Sequence, residues 1–190
     1  MVVGTADTQT YIIPCLLDPV LQAYQREMVD LVASRCGLTF TQQQAIPAHF
    51  TLKYHFTTQH IVQVEALVAD FARRHAAAPV TAGGFGHFEE DVLFVEVRLS
   101  DAARRVLEAF IAALRMLAWM SWSPHDAEHL HPHMTIAERC RSRFREAWDL
   151  VQPHERHFTG AFDNITILRK VGESNGMDRW AVHASFALGT

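Results

Sequence analysis

The chain has 190 residues, 49% hydrophobic, 20% charged and 10% aromatic, a composition that suits a packed globular core and excludes a disordered or fibrous chain. Its net charge of −4, with histidine neutral, excludes a broad basic surface for gripping long duplex nucleic acid but is compatible with a small phosphate ligand held by local groups. The three cysteines (Cys15, Cys36, Cys140) are scattered without metal-ligand spacing and no apolar run approaches membrane-spanning length, so a cytoplasmic, reduced setting is expected.

The first segment, TYIIPCLLD (Thr10–Asp18), reads as a strand. From Pro19 to Cys36 apolar residues recur at helical spacing (Leu21, Tyr24, Met28, Leu31, Val32), and Gly37 ends the helix. The stretch HFTLKYHF then alternates His49, Thr51, Lys53 and His55 on one face with Phe50, Leu52, Tyr54 and Phe56 on the other. Thr57 or Thr58 is placed to cap the next helix, whose buried stripe is Ile61, Val64, Leu67, Val68 and Phe71. Residues 80–100 read as two strands with a turn near Glu89–Asp91. Gly83, Gly84 and Gly86 lack the following Lys-Ser/Thr and helix of a phosphate loop, so a bulged strand is expected there. Ser100 or Asp101 starts a long helix carrying Val106, Leu107, Phe110, Leu114 and Leu117. The loop SWSPHDAEHL leads into the strand HPHMTIAER, and a helix follows around Phe144–Val151. FTGAFDNITILRKV, a turn containing Asn175-Gly176, and WAVHASFAL complete the chain as strands.

Each half thus runs strand, helix, histidine-bearing strand, helix, strands, and His133 follows His49 by 84 residues (133 − 49). This order indicates an internal duplication of architecture with little sequence identity left. No proline-rich or low-complexity linker separates the halves. Residues 1–190 are therefore expected to form one domain of two lobes, with the chain free to cross between them.

Twelve histidines stand against three tyrosines and four tryptophans, and five of them begin a His-x-Thr/Ser pattern. Requiring an apolar residue after both members leaves three: HFTL at His49, HMTI at His133 and HASF at His183. Only the first two lie in the strand between two helices of their own half. The terminal strand holds His183, a rival for the same role. Paired in matching places, HFTL and HMTI resemble the motifs of the two-histidine (2H) phosphoesterases, which include the 2′-5′ RNA ligase-like and 2′,3′-cyclic phosphodiesterase proteins. The opening strand, GGFGHFEEDVLFVEVRLS before a long helix, and the closing hairpin also fit, so the resemblance covers most of the chain. It implies an α+β fold of two pseudo-symmetric lobes of antiparallel strands, with outer helices, enclosing a groove. It also implies a monomer that needs no cofactor and takes a small nucleotide or RNA terminus, away from any membrane.

The chemistry accounts for those residue types. Opening a 2′,3′-cyclic phosphate needs a base to take a proton from water and an acid to protonate the departing ribose oxygen. Two imidazoles titrating near neutrality can divide that work from opposite sides of phosphorus. A hydroxyl two residues along each strand lies beside its imidazole and can donate to a non-bridging phosphate oxygen. The resemblance assigns His49 and His133 the acid and base roles, without saying which is which, and Thr51 and Thr135 the phosphate contacts. A strained cyclic phosphate also stores enough energy for 2′-5′ ligation at the same site. Lys53 shares the His49–Thr51 face and could add positive charge near the phosphate. Family members often carry a basic residue soon after the second motif; here Glu138 comes first, and Arg139 shares the His133 face only on unbroken alternation. Tyr11 resembles the family's aromatic beside the groove and could stack a base, as could Trp119 or Trp122. Two other readings stay open. One is a protein of this fold that binds nucleotides or RNA ends without turnover. The other is a zinc hydrolase using His129, His131 and His133, although such a series on one strand spans about 13 Å and needs a sharp bend to reach one ion.

Overall fold

The structure, a computed structural model, describes residues 8–44, 46–124, 126, 130–174 and 176–189. Strand β1 (Gln9–Leu16) is followed by helix α1 (Pro19–Cys36), a short helix α2 (Phe40–Gln44), strand β2 (His49–Thr58) and helix α3 (Ile61–Arg74). Strands β3 (Ala78–Phe88) and β4 (Val92–Leu99), helix α4 (Asp101–Leu114), strand β5 (His133–Glu138) and helix α5 (Phe144–Val151) come next. Strands β6 (His157–Phe162), β7 (Asn164–Ser174) and β8 (Met177–Ala187) close the series. Local chemistry sets the helix limits. Asp18 caps α1 by accepting from the N–H groups of Val20 and Leu21, and Gly37 ends it at φ 70°, where a side chain would be strained. Ser100 caps α4 by accepting from Ala103 N–H at 3.1 Å. The cap expected of Thr57 or Thr58 moves: His60 occupies the cap position, and Thr58 Oγ1 accepts the His60 N–H at 2.8 Å just before the helix.

Two four-stranded antiparallel sheets form, ordered β2-β1-β7-β8 and β5-β4-β3-β6. The sheets are not the two halves of the sequence. The first takes strands from both ends of the chain, and the second takes β3 through β6. Burial explains the exchange. The run Tyr11–Cys15 on β1 is buried throughout, so this strand needs a partner on each side and finds β7 as well as β2. The histidine strands nevertheless hold equivalent places: β2 and β5 are each an edge strand beside a central strand, β1 and β4, that precedes it by one long helix. The expected bulge is present as well, with the β3–β4 register shifting between Ala82 and Phe85, where Gly84 has φ 76°.

One apolar core runs through both sheets and all the long helices, with Ile13, Phe50, Leu93, Phe110, Met134 and Phe162 almost wholly buried. Helix α1 packs on β5, α2 on β5 and β8, and β2 lies against β5, so the two histidine edges meet. Among the described residues no helix is long and apolar enough to cross a membrane.

Candidate active site

His49 and His133 are the first residues of β2 and β5, and their rings are held in the same way. His49 Nδ1 lies 2.8 Å from the Pro47 carbonyl oxygen, and His133 Nδ1 lies 2.7 Å from that of His131. A carbonyl only accepts, so each Nδ1 carries a proton and donates it two residues upstream. In the neutral ring this leaves the Nε2 lone pair as the reactive one.

Both imidazoles line one cavity of about 320 Å³, together with Thr51 and Thr135. The two hydroxyls make no hydrogen bond among the described residues, so both stay open to a ligand. Burial holds the His49 pKa below its usual 6.5, against the opposing effect of the Pro47 carbonyl. His133 is pushed down to about 4, first by burial, with the charge of His49 and then of His131 adding to the effect. The desolvating surface includes Phe88 and Phe94, whose ring centroids lie 5.0 and 4.9 Å from that of His133.

Immediately after each threonine the strand carries one extra residue. Pro14 faces Thr51 but Ile13 faces Lys53, so Leu52 is extra on β2. Phe94 faces Thr135 but Leu93 faces Ala137, so Ile136 is extra on β5. Two consecutive residues are therefore buried in each strand, and the residue three beyond the threonine turns into the cavity: Tyr54 in one strand, Glu138 in the other.

This geometry corrects two expectations. Lys53 does not share the threonine face; it is 0% exposed, with Nζ 2.8 Å from Asp126 Oδ2 and stacked against the Trp122 ring. Asp126 also accepts from the N–H groups of Tyr54 and Ser123, so Lys53 and Asp126 together tie Ser123 to β2. Arg139 does not share the His133 face either. Beyond the extra residue it is exposed, at φ 57°, with its guanidinium 3.9 Å from the centroid of the Phe40 ring.

Tyr11 is likewise away from the cavity. It is 3% exposed on central strand β1, packed on Phe56 and edge-on to His183. His183 pairs through Nε2 with Glu65 of α3, outside the cavity. Trp119 donates to Gln63 at 2.9 Å, and Trp122 covers Lys53; neither lines the cavity. Of the zinc series, His129 lies outside the described residues. His131 Nε2 is 2.9 Å from Glu96 Oε2, while His133 turns into the cavity. Among the described residues no three His, Cys, Asp or Glu side chains come together as a metal site.

Several cavity residues escaped sequence reasoning. Trp180 on β8 stacks on His55 with centroids 5.1 Å apart, and both line the cavity. Thr41 and Gln44 reach it from α2, five residues long and too short to show a helical period. Gln25, from α1, donates to the Thr135 carbonyl at 2.8 Å. The pair of extra residues that turns Tyr54 and Glu138 inward leaves no mark in the sequence beyond two adjacent apolar residues, Ile136-Ala137.

A family model described as the 2′-5′ RNA ligase superfamily matches residues 23–173. No curated protein sequence matches the chain. Among solved structures, TT0787 of Thermus thermophilus has a TM-score of 0.69 at 18% identity, over 94% of this chain and 97% of that one. A structure described as a phosphoesterase has a TM-score of 0.65 at 14% identity, over 97% and 100%. Escherichia coli LigT complexed with 3′-AMP has a TM-score of 0.60 at 13% identity, over 97% and 100%. At such identities the likeness is one of fold.

Proposed function

The chain belongs to the 2′-5′ RNA ligase superfamily, and on that premise we propose that it is a phosphoesterase that opens a 2′,3′-cyclic phosphate, or a related phosphodiester, of a nucleotide or RNA end without a metal. The observation that carries the reading is the matched pair of imidazoles. Each has Nδ1 committed to a backbone carbonyl, and both line one cavity with two unpaired hydroxyls. One neutral imidazole takes a proton from water at Nε2, and the water oxygen bonds to phosphorus. The bond from phosphorus to one ribose oxygen breaks, and the other imidazole, as imidazolium, delivers its Nε2 proton to that oxygen. Thr51 and Thr135 donate to the non-bridging oxygens, where charge grows as the attacking oxygen adds. A 5′-hydroxyl in place of water makes the same step a ligation.

The nucleotide character of the substrate, though not its phosphodiester, draws support from the solved neighbours, since LigT was crystallised with 3′-AMP and with ATP. It also draws support from Trp180, an aromatic surface at the cavity suited to a base. The test is a panel of 2′,3′-cyclic nucleotides and RNA ends bearing cyclic phosphates, assayed with and without EDTA. Turnover unchanged by the chelator is expected. Activity lost in EDTA and restored by zinc would move the chemistry to a metal, and binding without turnover would leave a nucleotide-binding protein.

A further inference from the structure

Glu138 enters the cavity from the place that corresponds to Tyr54 in the other motif strand. Its backbone N–H donates to Thr41 Oγ1 at 3.0 Å, which fixes the strand end against α2. Its carboxyl has no hydrogen bond or ion pair among the described residues, and burial raises its pKa, partly countered by Arg139. Tyr54 feels that carboxyl: burial, then Asp126, then Glu138 raise the phenol pKa. Asp178 brings a second carboxylate to the cavity, paired with Lys170.

Every lysine and arginine of the chain lies among the described residues. The cavity wall itself carries no lysine or arginine, and Lys170 is taken up by Asp178 and Glu173. Lys53 is sealed against Asp126, and Arg139 lies over Phe40. Three imidazoles line the cavity, His49, His55 and His133, and burial lowers the pKa of each, favouring the neutral ring.

We propose that Glu138 is a charge-selecting residue of this site, admitting a phosphodiester that carries one negative charge and disfavouring phosphomonoesters and polyphosphates that carry two or more. A cyclic phosphate is monoanionic at neutral pH. The monoester formed from it has a second ionisation near about pH 6 and becomes a dianion. The carboxylate therefore opposes the product more than the substrate and helps expel it. The inference rests on the phosphodiester reading above for its substrate, but its test is one of binding.

The experiment titrates 2′,3′-cyclic AMP, 3′-AMP and inorganic phosphate into the wild-type chain, Glu138→Gln and Glu138→Ala by calorimetry at pH 7.5. The same three compounds are run in the turnover assay, as substrate or as inhibitors. The wild type should bind the cyclic nucleotide at least roughly tenfold more tightly than 3′-AMP. Both variants should tighten 3′-AMP and phosphate by roughly tenfold, with the cyclic nucleotide changing less than about threefold. Equal wild-type affinities, or variants that leave the ratio unchanged, overturn the proposal. Selective binding of the cyclic nucleotide without turnover keeps charge selection and removes catalysis. Turnover with strong dianion inhibition in the wild type does the reverse. A chain that binds none of the three loses both.

Discussion

In the proposed reaction each imidazole moves a different proton, so neither can stand in for the other. Replacing His49 or His133 by alanine is expected to lower kcat by roughly 10²–10⁴, the range for losing a positioned acid or base. The double variant should fall less than the product of the two, because both act on one transition state. His183→Ala is the internal control: its ring is paired with Glu65 outside the cavity, so the rate should hold. A rate loss at His183 equal to that at His133, with the fold intact, would show that the wrong strands are paired. The pKa directions add a pH signature. With His133 near 4 and His49 below 6.5 in the free protein, the bell in kcat/KM should centre below pH 6.5. The kcat bell should lie closer to neutrality, since a bound phosphate anion favours the imidazolium. A kcat/KM optimum above pH 7.5 would contradict the buried, neutral pair. Stability carries the same sign. The unfolded chain takes up protons from about pH 6.5 downward while folded His133 waits until about 4, so stability should fall with pH across that window.

The two motif strands show what an edge can do that an unbroken strand cannot. One extra residue after each threonine turns the alternation over, keeping His and Thr in the cavity while the next polar residue is redirected. In β2 the cost falls on Lys53, an ammonium in the core, and Asp126 offsets it. Burial alone would raise the Asp126 pKa, but donation from Lys53, Ser123 and Tyr54 holds it below its usual value. The pair's contribution is thus present above the usual carboxyl range and is lost as pH falls through the lowered value. Lys53→Met should destabilise by about 3–5 kcal/mol in chemical denaturation, because Asp126 is left buried without its cation. Lys53→Met with Asp126→Leu should recover much of that loss. If Lys53→Met instead raised KM with the denaturation midpoint unchanged, the lysine would be touching substrate.

At the scale of the whole molecule, the first sheet joins strands from both ends of the chain, and the core is continuous across both sheets. Neither lobe can form without long-range pairing, so the two should unfold together. Calorimetry should give one transition, and amides of β1 and of β4 should share the slowest exchange class. Two separated transitions would mark the lobes as independent. A ligand seated between the motif strands binds only the folded chain, so 2′,3′-cyclic nucleotide at a hundred times its Kd should stabilise it by about 2.7 kcal/mol.

How much of this was legible before folding depends on the range of the signal. Periods of 2 and 3.6, the Ser100 cap and the Gly37 stop act within a few residues, so the long helices and most strands could be read directly, whereas Asp18 reads as strand and caps α1. The paired His-x-Thr motifs were legible for the same reason, since neighbours two apart share a face until the register changes. Tertiary structure decided the rest: β7 rather than β6 beside β1, Lys53 in the core, Arg139 out on Phe40, Tyr11 under the sheet, and Glu138 and Trp180 at the cavity. An extra residue is defined by the strand opposite, and a cavity wall by elements far apart in the chain. Those relations come into being only when the backbone hydrogen bonds between distant segments are made.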